Sequence, residues 1–218
     1  MGVMIATIGI VFGTIFQTPM SEFLPFLSVG IIVWGFISSV VTEGCTGFIA
    51  AEEIIKQLPI PLSLHILRVV WRNTIILAHN AVIFPILLLV LERPIGVVAL
   101  LALPGFFLLL LNLTWIALFL GIICARYRDL PQIVASVLQI VFYLTPIMWM
   151  SNRIPTQGIR YLLIVNPVYH MLELVRAPLL GQLPSMDHWV VVIAIAVLGW
   201  IATILLYNRY MRRIAYWL

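Results

Sequence analysis

The chain alternates long uncharged stretches with short clusters of charge. Uncharged windows near the roughly 20 residues that a helix needs to cross hydrocarbon predict membrane helices at about 23–42, 70–91, 95–124, 131–150 and 189–208. A sixth apolar stretch, 1–16, runs into QTPMSE, where Pro19 and its polar neighbours predict a turn. It reads as the outer part of one further span whose beginning is missing. Six crossings would place both ends of the chain on one side of the membrane.

Two connections break this rhythm. In EGCTGFIAAEEIIKQLPIPLSLHILRVVWR, Glu52 precedes Lys56 by four residues, the favourable order for a surface ion pair on a helix, and Pro59 and Pro61 then end that helix. The segment is either a solvated turn or an element on which a partner docks. In SNRIPTQGIRYLLIVNPVYHMLELVRAPLLGQLPSMDH, Asn166 is a good N-cap and Pro167 suits the first helical position. Two short helices, about 155–165 and 167–180, are expected there, of a length suited to re-entrant or interfacial elements rather than to a crossing.

Composition agrees with the pattern. Of the 218 residues 63% are hydrophobic and 9% charged, more apolar surface than one core can bury, so lipid must solvate the rest. The chain is read as one all-α transmembrane domain over residues 1–218. The net charge of +4 is spread too thinly to indicate nucleic acid, and the basic residues read first as topology determinants. Lys56, Arg68, Arg72, Arg126, Arg128, Arg209, Arg212 and Arg213 fall on one side of the predicted spans; Arg93, Arg153, Arg160 and Arg176 fall on the other. The first side is expected to be cytoplasmic and to hold the C-terminus. Cys45 and Cys124 both flank cytoplasmic segments, so reduced, structural thiols without a disulfide are expected. The start of the chain has neither a basic lead nor a small-residue cleavage site, which favours a membrane segment over a signal peptide.

Several chemistries lack their residues. The sole lysine, Lys56, is followed by Gln57 and preceded by no glycine, so no phosphate-binding loop of the Gly-x-x-x-x-Gly-Lys type exists here. His65, His79, His170 and His188 have neither helical pairing nor nearby thiols, and no metal site is expected. No predicted span buries an acidic residue, as an ion-coupled carrier would need, and the serines of the spans have no neighbouring base. Asn73, His79, Asn80 and Asn112 are expected to make hydrogen bonds between helices. The picture is a conduit or scaffold powered from elsewhere.

Two clusters remain as candidate sites. Arg126, Arg128 and Asp129 occupy the tight turn between the fourth and fifth spans, with Pro131 at the start of the next helix. They either hold the turn at the headgroups, with Asp129 complementing the helix dipole, or receive a push that moves two spans together. Near the other end of the fifth span, FYLTPIMWM sets Phe142, Tyr143 and Trp149 around Pro146, where a kink is expected. These rings are either an interfacial belt or the wall of a route along which sugars slide.

At these residues the chain resembles the membrane subunits of type-2 ABC exporters of cell-surface polysaccharides, the O-antigen and capsule exporters and their teichoic-acid relatives. FLSVGIIVWGFISSVVTEGCTGF, EEIIKQLPIPLSLHILRVVWRN, ARYRDLPQIVASVLQIVFYLTPIMW and NPVYHMLELVRAPLLG carry the resemblance, in family order. The family usually has an amphipathic cytoplasmic helix and a complete first span ahead of the point where Met1 falls, so a shortened start is expected. The resemblance implies a six-span subunit of the bacterial inner membrane that works as a homodimer, with the polymer channel at the mutual interface. It implies two copies of a separate soluble ATPase that hold ATP and Mg, no cofactor on this chain, and a polysaccharide or lipid-linked glycan as cargo. It makes Glu52, Glu53, Lys56, Arg126, Arg128 and Asp129 candidates for ATPase coupling. The two short helices of 155–181 would be extracytoplasmic gate helices, with Trp149, Tyr161 and Tyr169 near the exit. Export of a lipid or small molecule, or a non-transporting scaffold, are the other readings.

Overall fold

The structure, a computed structural model, describes residues 1–15, 19–94, 96–150 and 157–218, with side chains from residue 161 onward in the last of these. All regular structure among them is helical: α1 (Gly2–Ile15), α2 (Met20–Thr46), α3 (Glu52–Gln57), α4 (Leu62–Ala81), α5 (Ile83–Val90), α6 (Ala102–Arg126), α7 (Leu130–Leu144), α8 (Gln157–Val165), α9 (Pro167–Leu179) and α10 (Met186–Trp217). Single 3-10 turns at Ile49–Ala51 and Val97–Leu101 lead into α3 and α6. Four segments are long and apolar enough to cross a membrane: α2, α4 with α5, the 3-10 turn with α6, and α10. α1 and α7 are apolar but shorter, at 14 and 15 residues.

α2 is the centre of the bundle and touches α1, α4, α5, α6, α7 and α9. Its residues 27–33 are buried without interruption, as expected of a helix that is apolar all round. α6 lies against it, with Ala117 and Gly121 meeting Gly44 and Phe106 packing on Phe36, and it also contacts α10. Small residues set these approaches. A Cβ on Gly44 would lie 2.7 Å from that of Ala117 in α6, and one on Gly105 would lie 2.4 Å from the Leu174 carbonyl oxygen in α9. Hydrocarbon gives helices no hydrophobic reason to associate, so close backbone contact of this kind is the main source of packing energy.

Two of the expected interhelical polar ties are present. Asn112, fully buried, donates to the Val192 carbonyl of α10 at 3.3 Å and accepts from Trp115. Glu43 of α2 accepts from Arg72 and Asn73 of α4. Since the ion pair is largely solvated and Asn73 keeps a second bond to Val69, Glu43→Ala should cost only about 1 kcal/mol, measurable by thermal unfolding in detergent. His79, by contrast, is exposed in the last turn of α4.

The helices differ from the uncharged windows in four places. α4 begins at Leu62 rather than near residue 70, because Arg68 and Arg72 are good helix formers whose heads stay exposed. It breaks at Val82, where the ring of Pro85 would collide with the Ala81 carbonyl of a continuous helix. The fifth-span helix ends at Leu144, six residues short of Met150, because Pro146 disfavours helical backbone at Thr145, whose ψ is 134°. Pro146 therefore ends the helix instead of kinking it. α10 runs through the arginines to Trp217, a length of about 48 Å against roughly 30 Å of hydrocarbon. The start expected at 155 for the first short helix lies outside the described residues; α8 and α9 otherwise follow the expected pair closely.

Candidate functional site

The connections alternate between two ends of the bundle. α3, the α6–α7 turn and the last turns of α10 share one end; the starts of α2 and α10 share the other with α9 and the α5–α6 connection.

At the first end the two charged clusters singled out in the sequence come together, with a third element added. The Arg128 guanidinium donates to the Leu218 carbonyl oxygen at 3.0 Å. Arg126 lies over the rings of Tyr127 and Trp217, 5.3 and 5.5 Å from their centroids, and Trp217 packs on Tyr210. Asp129 occupies the N-cap position of α7, where it makes no cap hydrogen bond and acts on the helix dipole alone. On α3, Lys56 pairs with Glu52 at 2.6 Å. Lys56 first, and Arg128 more weakly, hold the Glu52 carboxyl below its usual pKa. A depressed carboxylate pKa means that the pair is intact at neutral pH and lost as acidification passes through the lowered value, a small effect for groups this exposed. Arg126 to Asp129 are all exposed, as are Glu53, Ile54 and Lys56 of α3 and Leu58 just after it. Exposed apolar side chains interleaved with charge make this end suited to gripping another protein. Local sequence does not show that Trp217 and Leu218 meet this turn; the aromatic and basic run YMRRIAYW is its only signal.

α7 carries a second feature that the charge pattern did not disclose. Its polar side chains are Gln132, Ser136, Gln139 and Tyr143, spaced four, three and four apart, so they share one stripe of the helix. All four are exposed, while Val134, Leu138 and Phe142 turn toward the core. Carboxamides facing lipid are costly, whereas facing water or a polar cargo they are not.

Beyond α7 the chain is clasped to α9. Asn166 caps α9 by accepting from the amides of Val168 and Tyr169, and its amide donates to Thr145 Oγ1 at 2.9 Å. Arg176, 1% exposed, donates to the Pro146 carbonyl at 2.5 Å and pairs with Glu173. Ile147 is fully buried against Gly30, where a Cβ would meet its carbonyl oxygen at 3.3 Å.

The aromatic candidates separate into three places. Phe142 packs on Trp34 and beside Tyr143, and the Trp149 indole donates to the Tyr143 carbonyl at 3.4 Å. Tyr161 is exposed on α8. Tyr169 packs against His170 and His188. Those two histidines, 18 residues apart in sequence, bring their Nδ1 atoms to 2.8 Å, a pairing invisible to local spacing. Among the described residues no group of three or more His, Cys, Asp or Glu side chains is arranged to hold a metal ion. Cys45 of α2 and Cys124 of α6 are buried free thiols.

Comparison with curated proteins finds no match. Comparison with protein families finds that residues 2–180 match the family described as ABC-2 type transporter. That match runs from α1 through the end of α9 and takes in α3, the α6–α7 turn and the clasp. With several helices apolar enough to span a bilayer, the chain is a multi-pass membrane protein, a transport subunit that serves as the permease of an ABC exporter. The family implies pairing with an ABC ATPase, and the chain belongs to the ABC-2 type transporter family.

Proposed function

We propose that this chain is the channel-forming permease of an ATP-driven exporter that carries a polysaccharide, free or lipid-linked, out across the bacterial cytoplasmic membrane. Two copies would face each other and enclose the route, and two soluble ABC ATPases, holding ATP and Mg, would dock at the end bearing α3 and the α6–α7 turn. That end would be cytoplasmic by its excess of basic residues. All six apolar helical segments would then cross the membrane, α1 and α7 with the help of flanking chain, and α8 and α9 would form the re-entrant gate.

The observation that carries this reading is the polar stripe of α7. Gln132, Ser136, Gln139 and Tyr143 offer donors and acceptors along an uncovered face without fixed charge. Such a surface can exchange hydrogen bonds with successive hydroxyls without holding any one tightly, which suits a sliding polymer better than a small molecule gripped once. The docking end supports the other half of the reading: exposed Glu53, Lys56, Arg128 and Ile54 give an ATPase both charge and apolar surface.

Gln132→Leu with Gln139→Leu should lower glycan export about tenfold or more, on the scale of two or more lost hydrogen bonds, while membrane insertion is retained. Surface glycan is quantified in cells carrying the variant. Unchanged glycan export in that variant, or stimulation of ATP hydrolysis by lipid and not by glycan, would count against the polysaccharide route. Tyr143→Ala with Trp149→Ala should slow export as well; full export would return both rings to the membrane interface.

A further inference from the structure

A cleft of about 840 Å³ opens between the start of α2, the α5–α6 connection, α9 and the start of α10. Its volume falls in the range of true ligand sites, and charged side chains line it alongside the apolar ones such sites usually present. Glu22, Arg93, Tyr169, Glu173, Arg176 and His188 all line it.

This wall is organised around a buried cation. The Arg176 guanidinium is 4.0 Å from the centroid of Phe26, is tied to Pro146 and Glu173, and keeps its Nε without a hydrogen-bond partner. A guanidinium left with an unmet donor so far from bulk solvent is costly. Arg93 is set at the opposite rim by a turn in which its amide bonds to the Leu88 carbonyl and Glu92 takes a φ of 53°. This is a helix-ending geometry that usually falls to glycine, so a non-glycine residue accepts strain just where Arg93 meets the cleft.

The histidine pair fixes what the third wall offers. His170 Nε2 lies 2.8 Å from the Ile164 carbonyl, which can only accept, so that nitrogen carries hydrogen. In the neutral ring Nδ1 of His170 is then an acceptor, and at 2.8 Å Nδ1 of His188 must donate to it. His188 is left with an acceptor at Nε2 on the residue that lines the cleft. The walls thus combine two guanidinium donors with two carboxylates and an imidazole lone pair, beside the rings of Tyr169 and of Phe26, one face of which carries Arg176. The two carboxylates offset the two guanidinium groups, so the wall offers an anion or a cation no net charge to bind to. Hydroxyls both donate and accept, and the apolar faces of sugar rings stack on aromatics.

We propose that this cleft is a binding site for an uncharged, hydroxyl-rich ligand, a short stretch of glycan. The proposal rests on the polysaccharide reading and adds a holding point at the end opposite the ATPase, separate from the α7 stripe.

The test uses the complete transporter, permease with its ATPase, in nanodiscs. The probe is the set of short oligosaccharides released by mild acid from the surface glycan of cells carrying the transporter, titrated by saturation-transfer NMR. Saturable binding is expected, weakened about tenfold by Glu22→Ala and by Arg93→Ala, the size of one hydrogen bond to a charged group. Both residues lie at the rim of the cleft, accessible to solvent, so an unchanged melting temperature identifies the loss as one of binding. Absence of saturable binding, full binding by both variants, or displacement of the sugar by inorganic phosphate would each overturn the cleft assignment while glycan export by the cells still stood. Cells that export no glycan through the transporter would overturn the polysaccharide reading itself.

Discussion

Arg128→Glu should abolish export, with surface glycan falling at least about tenfold, while the chain still inserts and accumulates in the membrane. The arginine sits in the turn that joins α6 to α7 and donates to the Leu218 carbonyl at the end of α10. Reversal removes a charge-assisted hydrogen bond on the scale of about 1.5–3 kcal/mol. It also sets a carboxylate against that carbonyl and closer to the field of Glu52, so the three elements of this end no longer hold one geometry. Arg128→Lys keeps the charge but not the planar fork and should retain part of the activity. Membrane fractionation separates insertion from export, and normal glycan levels with Arg128→Glu would reduce the cluster to a topology signal. Labelling of a cysteine at this turn by an impermeant reagent from outside intact cells would overturn the assigned orientation.

Gly105→Leu should be the most damaging single change to the fold, destabilising it by about 3 kcal/mol or more. The obstruction is the Leu174 backbone, whose carbonyl oxygen would stand 2.4 Å from the new Cβ and cannot rotate away as a side chain would. α6 and α9 would have to separate, and the clasp of α9 on the end of α7 would move with them. Gly105→Ala should cost roughly 1–3 kcal/mol. Gly96→Ala serves as the contrast, since a Cβ there meets nothing within 4 Å. Melting temperatures in detergent rank the three, and equal stability for Gly105→Leu and Gly96→Ala would show that α6 and α9 do not approach so closely.

Most of the helices were legible because their signals are local. Asn166 with Pro167 starts α9, and the long apolar runs mark α2, α6 and the first part of α10. Charge does not mark the helix boundaries here. Arg68 and Arg72 sit inside α4, and Arg209, Arg212 and Arg213 inside α10, because long basic side chains reach water without ending a helix. A kink is the wrong consequence to expect of Pro146, since its effect falls on the preceding residue and stops α7. At the candidate sites, the charged residues of α3 and of the α6–α7 turn could be named from sequence, but Leu218 as the acceptor for Arg128 required the fold. The pairing of His170 with His188 and the burial of Arg176 depend on how α9 meets α10 and the chain after α7, and nothing in local spacing reports either.

The chain on either side of α7 is anchored, whereas no residue of the helix itself is fully buried. One end joins α6 through three residues, 127–129; past the other, Thr145, Pro146 and Ile147 are stitched to Asn166 and Arg176 and wedged against Gly30. Such a part is a strut: about 22 Å of stiff backbone whose ends are fixed to different neighbours. Tilting it at the α3 end would swing the N-terminus of α9 at the other end of the bundle, through the bonds of Asn166 and Arg176. The two ends of the bundle would be geared through a single helix, and the strip of carboxamides it carries would turn with it.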